Sequence, residues 1–297
     1  MSAYTPVALG LLALVLTGPA PAALARATWP HRVPRAAAVL WQSLATAAVL
    51  SALGAGLATA TGLLVRPVGV VELVGHVSVL VLTILVAVRL GLAVVAFAVR
   101  TRARRRRHRE LVDLLADRDG LEPGLRILAE TTPVAYCLPS ARDARVVLSA
   151  GALDRLDADE LGAVIAHEKA HLRARHDLVL EAFGALRTAF PRFVRSRTAL
   201  EQNRILVEML ADDAARRRVG AAPLARALVK LAGTPVPAAA LAASHQATLL
   251  RVRRLAEPPG RHLLLTASTY AVAVALVVVP TVFVAVPWLL RVVDAVS

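Results

Sequence analysis

Long runs of apolar residues occupy both ends of the chain and leave a mixture of polar and apolar positions in the middle. Four stretches, residues 4–25, 36–65, 68–99 and 262–290, contain almost no charged side chains. Each is at least as long as the roughly 20 apolar residues that a helix needs to cross a bilayer core of about 30 Å. The pattern therefore predicts four transmembrane helices.

The first apolar segment has a second interpretation. Residues 23–25, Ala-Leu-Ala, resemble the small-residue cleavage site of a secretory signal peptide. The stretch before the apolar core, however, has no Lys or Arg, which signal peptides carry there. We favour a retained transmembrane helix, and a cleaved signal peptide is the alternative.

The composition agrees with an integral membrane protein. Hydrophobic residues make up 57% of the 297 residues and charged residues only 19%, against about 45–50% and about 25% in soluble domains. This balance excludes a disordered chain and a single soluble globule with a polar surface. The single cysteine, Cys137, excludes an internal disulfide framework and a multi-cysteine metal site.

Arginines orient the predicted helices, because connections rich in Arg stay in the cytosol. The first connection holds three arginines, the second holds only Arg66, and seven crowd residues 100–109. We therefore expect a multi-pass protein of the cell membrane with both termini on the outer side. The lipid bilayer is an expected partner. The predicted domains are residues 1–99 with three transmembrane helices, 100–261 in the cytosol, and 262–297 with the fourth helix and a short outer tail.

The arginine run at residues 100–109 also suggests binding of nucleic acid or anionic lipid. Residues 110–260, however, hold 21 basic and 19 acidic side chains, a net charge of +2. Nucleic-acid-binding domains carry a strong positive balance on one face. We therefore interpret the run as a topology anchor and expect no nucleic-acid partner.

A metal-binding motif lies in the middle of the predicted cytosolic domain. Asp157 and Glu160 form a capping box that predicts a helix start, and this helix carries the sequence HEKAH at residues 167–171. Histidines four residues apart share one helix face and can bind one zinc ion. Glu168 is then placed to take a proton from a water that the zinc activates. Two ordinary helix histidines are the alternative.

A catalytic zinc site needs a third protein ligand. Asp177 and Glu181 are expected to continue the same helix, about 9 and about 15 Å beyond His171, which is too far to share its metal. A second helix must therefore supply the ligand. The pattern predicts that helix after Pro191, at residues 198–219.

Glu208 is the predicted third ligand. It lies inside the apolar run of residues 205–211, where a buried carboxylate is costly unless it meets a cation or hydrogen-bond donors. Asp212, one helical turn later, is expected to accept a hydrogen bond from a ligand histidine. Glu201, on the same predicted helix, lies in a more polar setting. The alternative to a ligand role for Glu208 is a surface or salt-bridged glutamate.

These residues resemble a known family. Residues 163–171, AVIAHEKAH, and 208–212, EMLAD, are similar to the BlaR/MecR-type integral membrane zinc metallopeptidases, an antirepressor family, and more distantly to HtpX and the CAAX-prenyl proteases. The resemblance covers residues 133–255. It implies a mainly α membrane protein, with four transmembrane helices and a cytosolic, mostly helical zincin-like metallopeptidase domain that carries a small β element. By position it implies one Zn²⁺ per chain bound by His167, His171 and Glu208, with Glu168 as general base and Asp212 orienting a ligand.

Two weaker matches extend the resemblance. Residues 134–139 and 145–149 look like the short strands that precede the active-site helix in this family, where an extended substrate pairs with an edge strand. His245 and Arg251 are similar to a late His…Arg element of the distant relatives, which makes them candidates for contact with the substrate and its oxyanion. A domain-closing amphipathic helix with solvated arginines is the alternative.

The resemblance implies a membrane-embedded zinc endopeptidase that hydrolyses peptide bonds at the cytosolic face. Its expected role is regulatory signalling, and its expected partner is a protein or peptide substrate such as a transcriptional repressor. Only residues 291–297 follow the fourth segment, so we expect no extracellular penicillin-sensor domain. The alternatives are a membrane-protein quality-control protease and a non-proteolytic membrane transducer with a structural metal site.

Overall fold

The structure is a computed structural model of the chain. It describes residues 4–61, 69–118, 124–140, 143–189, 197–232, 238–258, 260–282 and 286–296; the side chains of 117–118, 197, 238–245, 287, 291–292 and 295–296 lie outside this description. In chain order the helices are α1 Tyr4–Thr17, α2 Pro19–Arg26, α3 Pro34–Ala60, α4 Val70–Leu115, α5 Ala150–Arg155, α6 Ala158–Ala174, α7 His176–Ala189, α8 Arg197–Val219, α9 Ala221–Ala232, α10 Ala238–Ala256, α11 Leu263–Pro280 and α12 Val286–Val296. The strands are β1 Ala116–Arg118, β2 Leu125–Leu128, β3 Ala135–Leu138 and β4 Arg145–Ser149.

Within the described part of the chain, four stretches of helix are long and apolar enough to cross a membrane, judged by length and composition alone: residues 4–26, α3, α4 and α11. They correspond to the four predicted segments, with differences at their ends. α4 continues through the arginine run as far as Leu115, because Arg is a good helix former and the sequence holds no Gly or Pro there. In the last segment α11 extends to Pro280, a π-helical turn follows at residues 281–282, and α12 begins at Val286.

The structure divides into two compact units, and the first comprises residues 1–96, 183–203 and 262–297. Its centre is α3, which contacts both α1 and α11. Small alanines on α3 let neighbouring helices approach closely. One buried cluster consists of Leu16, Leu44, Ala47 and Ala48, with Leu276 packed against it. Residues 183–203 lie in this unit, although the sequence predicts them inside the cytosolic domain.

Arg89 interrupts the apolar part of α4 but has a defined partner in this unit. Its Nε donates a hydrogen bond to the carbonyl oxygen of Ala189 at 3.2 Å, and Ala189 is the last residue of α7. Carbonyl groups at a helix C-terminus lack intrahelical donors, and a cation there interacts favourably with the helix dipole. Arg89 therefore caps the end of α7.

The second unit comprises residues 97–182 and 204–261. Its sheet has the strand order β1-β2-β4-β3, in which β2 and β4 are parallel and both outer pairs are antiparallel. The strands expected at residues 134–139 and 145–149 are present as β3 and β4. Strand and helix residues share one buried core, formed by Leu125, Val146, Leu148, Leu156, Val164 and Ala227.

Among the residues that the structure describes, β3 lies at one edge of this sheet and pairs only with β4. The carbonyl of Val134, just before β3, accepts a hydrogen bond from the N–H of Ser149 at 3.0 Å. Bonded positions alternate along an antiparallel pair. The N–H and C=O groups of Ala135 and Cys137 therefore point away from β4, toward the open edge.

α6 begins where the capping box predicts. Asp157 accepts a hydrogen bond from the N–H of Glu160 at 2.9 Å, and Glu160 accepts one from the N–H of Asp157 at 3.0 Å. The enclosed Glu160 carboxylate also pairs with Lys230 at 2.6 Å and Arg226 at 3.2 Å, both on α9. The hydrogen bond from Lys230 is the main reason why the pKa of Glu160 lies below its usual value.

The expectation that α6 continues to Glu181 is wrong. α6 ends at Ala174, because Arg175 adopts a left-handed conformation with φ 51° and ψ 42°. The N–H of Arg175 bonds to the carbonyl of Leu172 at 3.4 Å, and α7 begins at the next residue, His176. Helices usually end this way at Gly or Asn, so the residue types gave no sign of a break.

We expect Glu160→Ala to lower the midpoint of thermal unfolding of the detergent-solubilised chain by roughly 2–4 °C, the equivalent of about 1 kcal/mol for a lost cap. Glu160→Gln keeps an acceptor for the N–H of Asp157, so it should lower the unfolding midpoint by less than Glu160→Ala does. Folding lowers the pKa of Glu160 below its ordinary value of 4.5. The stability that its carboxylate contributes is therefore fully present above pH 4.5 and is lost as the pH falls through the pKa of the folded chain. The difference in unfolding midpoint between Glu160→Gln and wild type should therefore become smaller at acid pH.

The control is Asp159→Asn, which removes a charge from the same helical turn at an exposed position. It should shift the midpoint by less than Glu160→Ala does. Equal shifts for the two variants would contradict a specific role for the Glu160 contacts.

Candidate metal centre

Three predicted side chains from two helices meet in the second unit. His167 and His171, one turn apart on α6, place their Nε2 atoms 3.2 Å from each other. Glu208 on α8 places Oε2 at 3.3 Å from Nε2 of His167 and Oε1 at 3.6 Å from Nε2 of His171. The three candidate ligand atoms all lie within 4.8 Å of one another. The structure thus brings together the residues expected to form the ligand set.

These separations fit a tetrahedral zinc site. Zn–N distances of about 2.0–2.1 Å and a tetrahedral angle place two ligand nitrogens about 3.3–3.4 Å apart, close to the 3.2 Å between the two imidazoles. The N–O distances of 3.3 and 3.6 Å agree with ligand atoms that share one ion. Two imidazoles and one carboxylate suit zinc and several other divalent metals, and they leave a fourth position for water or substrate.

A buried ion pair lies directly behind the centre. Oδ1 of Asp212 is 3.0 Å from Nδ1 of His167, the ring nitrogen that does not face Glu208. Arg251 donates from Nε and Nη2 to the two carboxylate oxygens of Asp212, each at 2.7 Å, and its Nη1 lies 3.0 Å from Oε2 of Glu208. The side chains of Asp212 and Arg251 are only 2% and 12% exposed. Residues of α6, α8 and α10 are therefore tied together at one point.

The same contacts set the protonation of the three side chains. Burial acts to raise the pKa of Glu208, but the hydrogen bond from His167 and the charge of Arg251 outweigh it and bring the pKa to about 2. Burial lowers the pKa of His171 to about 4. For His167 burial is outweighed by Asp212 and Glu208, which raise its pKa to about 9. At neutral pH Glu208 is charged and His171 is neutral, as a metal requires, whereas His167 has a proton to lose.

Glu168 and the three converging side chains line one cavity of about 610 Å³. Burial raises the pKa of the Glu168 carboxyl. Cys137, on β3, lines the same cavity, and its thiol is near the carboxylate of Glu168. Burial and this neighbour raise the pKa of the thiol, which makes Cys137 a poor nucleophile. No local sequence pattern connects Cys137 with the site, because β3 reaches it only through the sheet.

The two late candidates differ in what the structure describes of them. The side chain of His245 lies outside the described residues, so its contact with substrate stays a prediction. Arg251 lines the cavity, and its donors are directed at Asp212 and Glu208. The alternative of a solvated arginine is wrong for this residue, because its side chain is 12% exposed.

The break after α6 places three further residues beside the site. His176 is buried, and its Nδ1 lies 3.2 Å from Nδ1 of His171; sequence reasoning missed this contact. Asp177 and Glu181 both pair with Arg105 of α4. The metal-ligand group found among the described residues does not include these two carboxylates. Arg105, which belongs to the predicted topology anchor, therefore also pairs with two carboxylates of α7.

Comparison with known proteins agrees with a metallopeptidase. The family model for Peptidase family M48 matches residues 100–203, which include the motif at 167–171 and end before Glu208. This match supports a metallopeptidase of family M48 and indicates a hydrolase that cleaves peptide bonds. No curated protein and no solved structure matches the chain. The narrower resemblance to the BlaR/MecR-type enzymes stays a prediction.

We expect Arg251→Ala to destabilise the metal-free chain by about 3–5 kcal/mol, because it leaves the carboxylates of Asp212 and Glu208 with His167 as their one remaining cationic contact among the described residues. Arg251→Lys keeps the charge but loses the bidentate contact with Asp212, so it should destabilise the chain by less than Arg251→Ala does. Added Zn²⁺ should recover part of the lost stability in both variants by neutralising Glu208. Thermal unfolding in detergent, with and without Zn²⁺, measures these effects.

Arg253→Ala is the matched control, because Arg253 is an exposed residue of the same helix. Its effect should stay within about 0.5 kcal/mol. Equal unfolding midpoints for the Arg251 and Arg253 variants would contradict the described network.

Proposed function

We propose that the chain is a zinc-dependent endopeptidase anchored in the cell membrane, with its active site on the cytosolic side. The observation that carries the proposal is the convergence of His167, His171 and Glu208 within 4.8 Å. A cavity lined by Glu168 opens at this point. The match to Peptidase family M48 supports the same reaction class independently of Glu208.

In the proposed mechanism His167, His171 and Glu208 hold the metal. When bound, zinc polarises the scissile carbonyl and lowers the pKa of its water to about 7. Glu168 accepts the proton of the attacking water and returns it to the leaving amine, which a half-buried carboxylate with a raised pKa is suited to do. Asp212 keeps the ring of His167 in place, and Arg251 keeps the charges of Asp212 and Glu208 compensated.

An extended polypeptide is the substrate form that we propose. The open edge of β3 presents backbone groups of Ala135 and Cys137, and both residues line the cavity that also holds Glu168. A peptide added as a further strand finds main-chain hydrogen bonds along such an edge and pockets for alternate side chains. Apolar side chains of α9, namely Leu224, Leu228 and Leu231, contribute to the lining.

A purely structural metal site is the alternative that these features argue against. Structural zinc sites are usually closed by four protein ligands, whereas three candidate ligands form the group found among the described residues. A carboxylate next to the ligands, with a cavity beside it, has no purpose in a closed site. We therefore place regulatory proteolysis of a cytosolic protein ahead of a non-proteolytic transducer role.

The membrane location has support from the exposed surface of α4. Valine and leucine side chains from Val70 to Val99 are largely exposed, which is costly in water and favourable in lipid. The arginines that follow at residues 100–109 favour a cytosolic position for this end of the helix.

The proposed reaction is tested by metal content and hydrolysis in the detergent-purified chain. Wild type and Glu168→Gln should each hold about one zinc per chain, and Glu208→Gln should hold much less. With fluorescent casein and a mixed peptide library as probes, Glu168→Gln should lower the hydrolysis rate by at least about 100-fold, the usual contribution of a general base. Cleavage of membrane proteins rather than cytosolic proteins in cells would identify the quality-control alternative.

Glu201→Gln is the control, because Glu201 is an exposed residue on the same helix as Glu208. It should keep both zinc and activity. A folded wild-type chain that takes up no zinc would contradict the proposed function, and unchanged hydrolysis in Glu168→Gln would contradict the role of the base.

The proposed orientation is tested by cysteine labelling, which the chain allows because Cys137 is its only cysteine. In a Cys137→Ala background, Gly69→Cys should react with a membrane-impermeant maleimide in intact cells. Asp143→Cys should react only after the cells are permeabilised. Both positions are exposed, so the reverse pattern of labelling would contradict the orientation.

A further inference from the structure

His176 owes its position to the end of α6. Residue 175 turns the chain through a left-handed conformation, and His176 then opens α7. The turn folds its imidazole back toward the metal centre, where the residue is only 7% exposed. A buried imidazole needs hydrogen-bond partners for its ring nitrogens.

The partner of His176 is a candidate metal ligand. Nδ1 of His176 lies 3.2 Å from Nδ1 of His171, and the two rings are nearly perpendicular, at 86°, with centroids 5.0 Å apart. Two nitrogens at this distance form a hydrogen bond when one carries a proton and the other offers a lone pair. His176 touches the nitrogen of His171 that is turned away from the proposed metal, so it is not a fourth ligand.

The direction of this hydrogen bond follows from the proposed role of His171 as a metal ligand. Its Nε2 is the atom near Nε2 of His167 and the carboxylate of Glu208, so this atom must offer a lone pair to a metal. A neutral His171 then carries its proton on Nδ1. His176 must then accept a hydrogen bond from this N–H at its own Nδ1 and carry its own proton on Nε2.

We propose that His176 is a positioning residue that fixes the tautomer and the ring orientation of His171, as Asp212 is placed to do for His167. The inference rests on the proposed metal centre and adds a residue to it. A ligand histidine commonly donates its second N–H to a carboxylate or a carbonyl. In this chain a neutral imidazole takes that place behind one ligand and a carboxylate behind the other.

Charge explains why a neutral partner suits this position. The carboxylates of Glu168, Glu208 and Asp212 contribute three negative charges around the centre. Arg251 contributes one positive charge, and it contacts two of these carboxylates. A divalent cation then makes the group neutral, so a further carboxylate in place of His176 would leave a buried excess charge, which is costly.

The test is the zinc affinity of the full chain in detergent, measured by competition with a chromophoric chelator. His176→Ala should bind zinc about 10 to 100-fold more weakly than wild type, the usual effect of removing the partner of a ligand histidine. His176→Asn places an amide oxygen at the same distance from Cβ as Nδ1, so it should recover most of the affinity. His176→Gln places its amide one bond further out and should not recover it.

His262→Ala is the control, because His262 is an exposed histidine outside the second unit. It should leave zinc affinity unchanged. Thermal unfolding of each metal-free variant checks whether the Asn and Gln chains are folded to the same degree. With Co²⁺ in place of zinc, the visible absorption bands report ligand geometry, and they should shift in His176→Gln but not in His176→Asn.

Two outcomes overturn the inference: zinc affinity in His176→Ala equal to wild type, or equal losses in the folded Asn and Gln variants. Both leave the proposed function standing, because the wild-type chain still binds zinc. A wild-type chain that binds no zinc is a different result, and it removes the metal centre itself.

Discussion

The contact between Arg251 and Asp212 is the interaction on which the candidate centre depends. It joins α10 to α8 through two hydrogen bonds of 2.7 Å, and Asp212 in turn reaches His167 on α6. A buried ion pair adds little stability compared with a well-packed apolar replacement, but removal of one partner is severely destabilising. The network is therefore better explained by geometry than by stability, because it fixes where His167 and Glu208 hold the atoms that face the cavity.

A second constraint acts through the backbone at Arg175. A left-handed conformation costs a residue with a side chain about 1–2 kcal/mol, and it persists only where the surroundings enforce it. Arg105 holds α7 in its new direction by pairing with Asp177 and Glu181. On a straight helix His176 would lie about 7.5 Å further along the axis than His171, whereas the break brings the two rings into hydrogen-bond contact.

Local patterns predicted the parts of the site that depend on one helix. The capping box at Asp157 and the spacing of His167 and His171 each follow from helical periodicity, and both are present as expected. Glu208 was found by a different signal, a carboxylate inside an apolar run. The contacts of His176 and Cys137 had no such signal, because one depends on an unforeseen left-handed residue and the other on the pairing of β3 within the sheet.

Glu208 and Asp212 show why periodicity alone does not assign roles. They lie one turn apart on the same face of α8, so their spacing treats them alike. Their surroundings differ: the side chain of Glu208 is 38% exposed and lines the cavity, whereas that of Asp212 is 2% exposed and is held by Arg251. The oxygens of Asp212 are engaged by the guanidinium of Arg251 and by Nδ1 of His167, the ring nitrogen turned away from the candidate metal position. Burial by α10 thus separates the two acids, leaving Glu208 available as a ligand and restricting Asp212 to orienting His167.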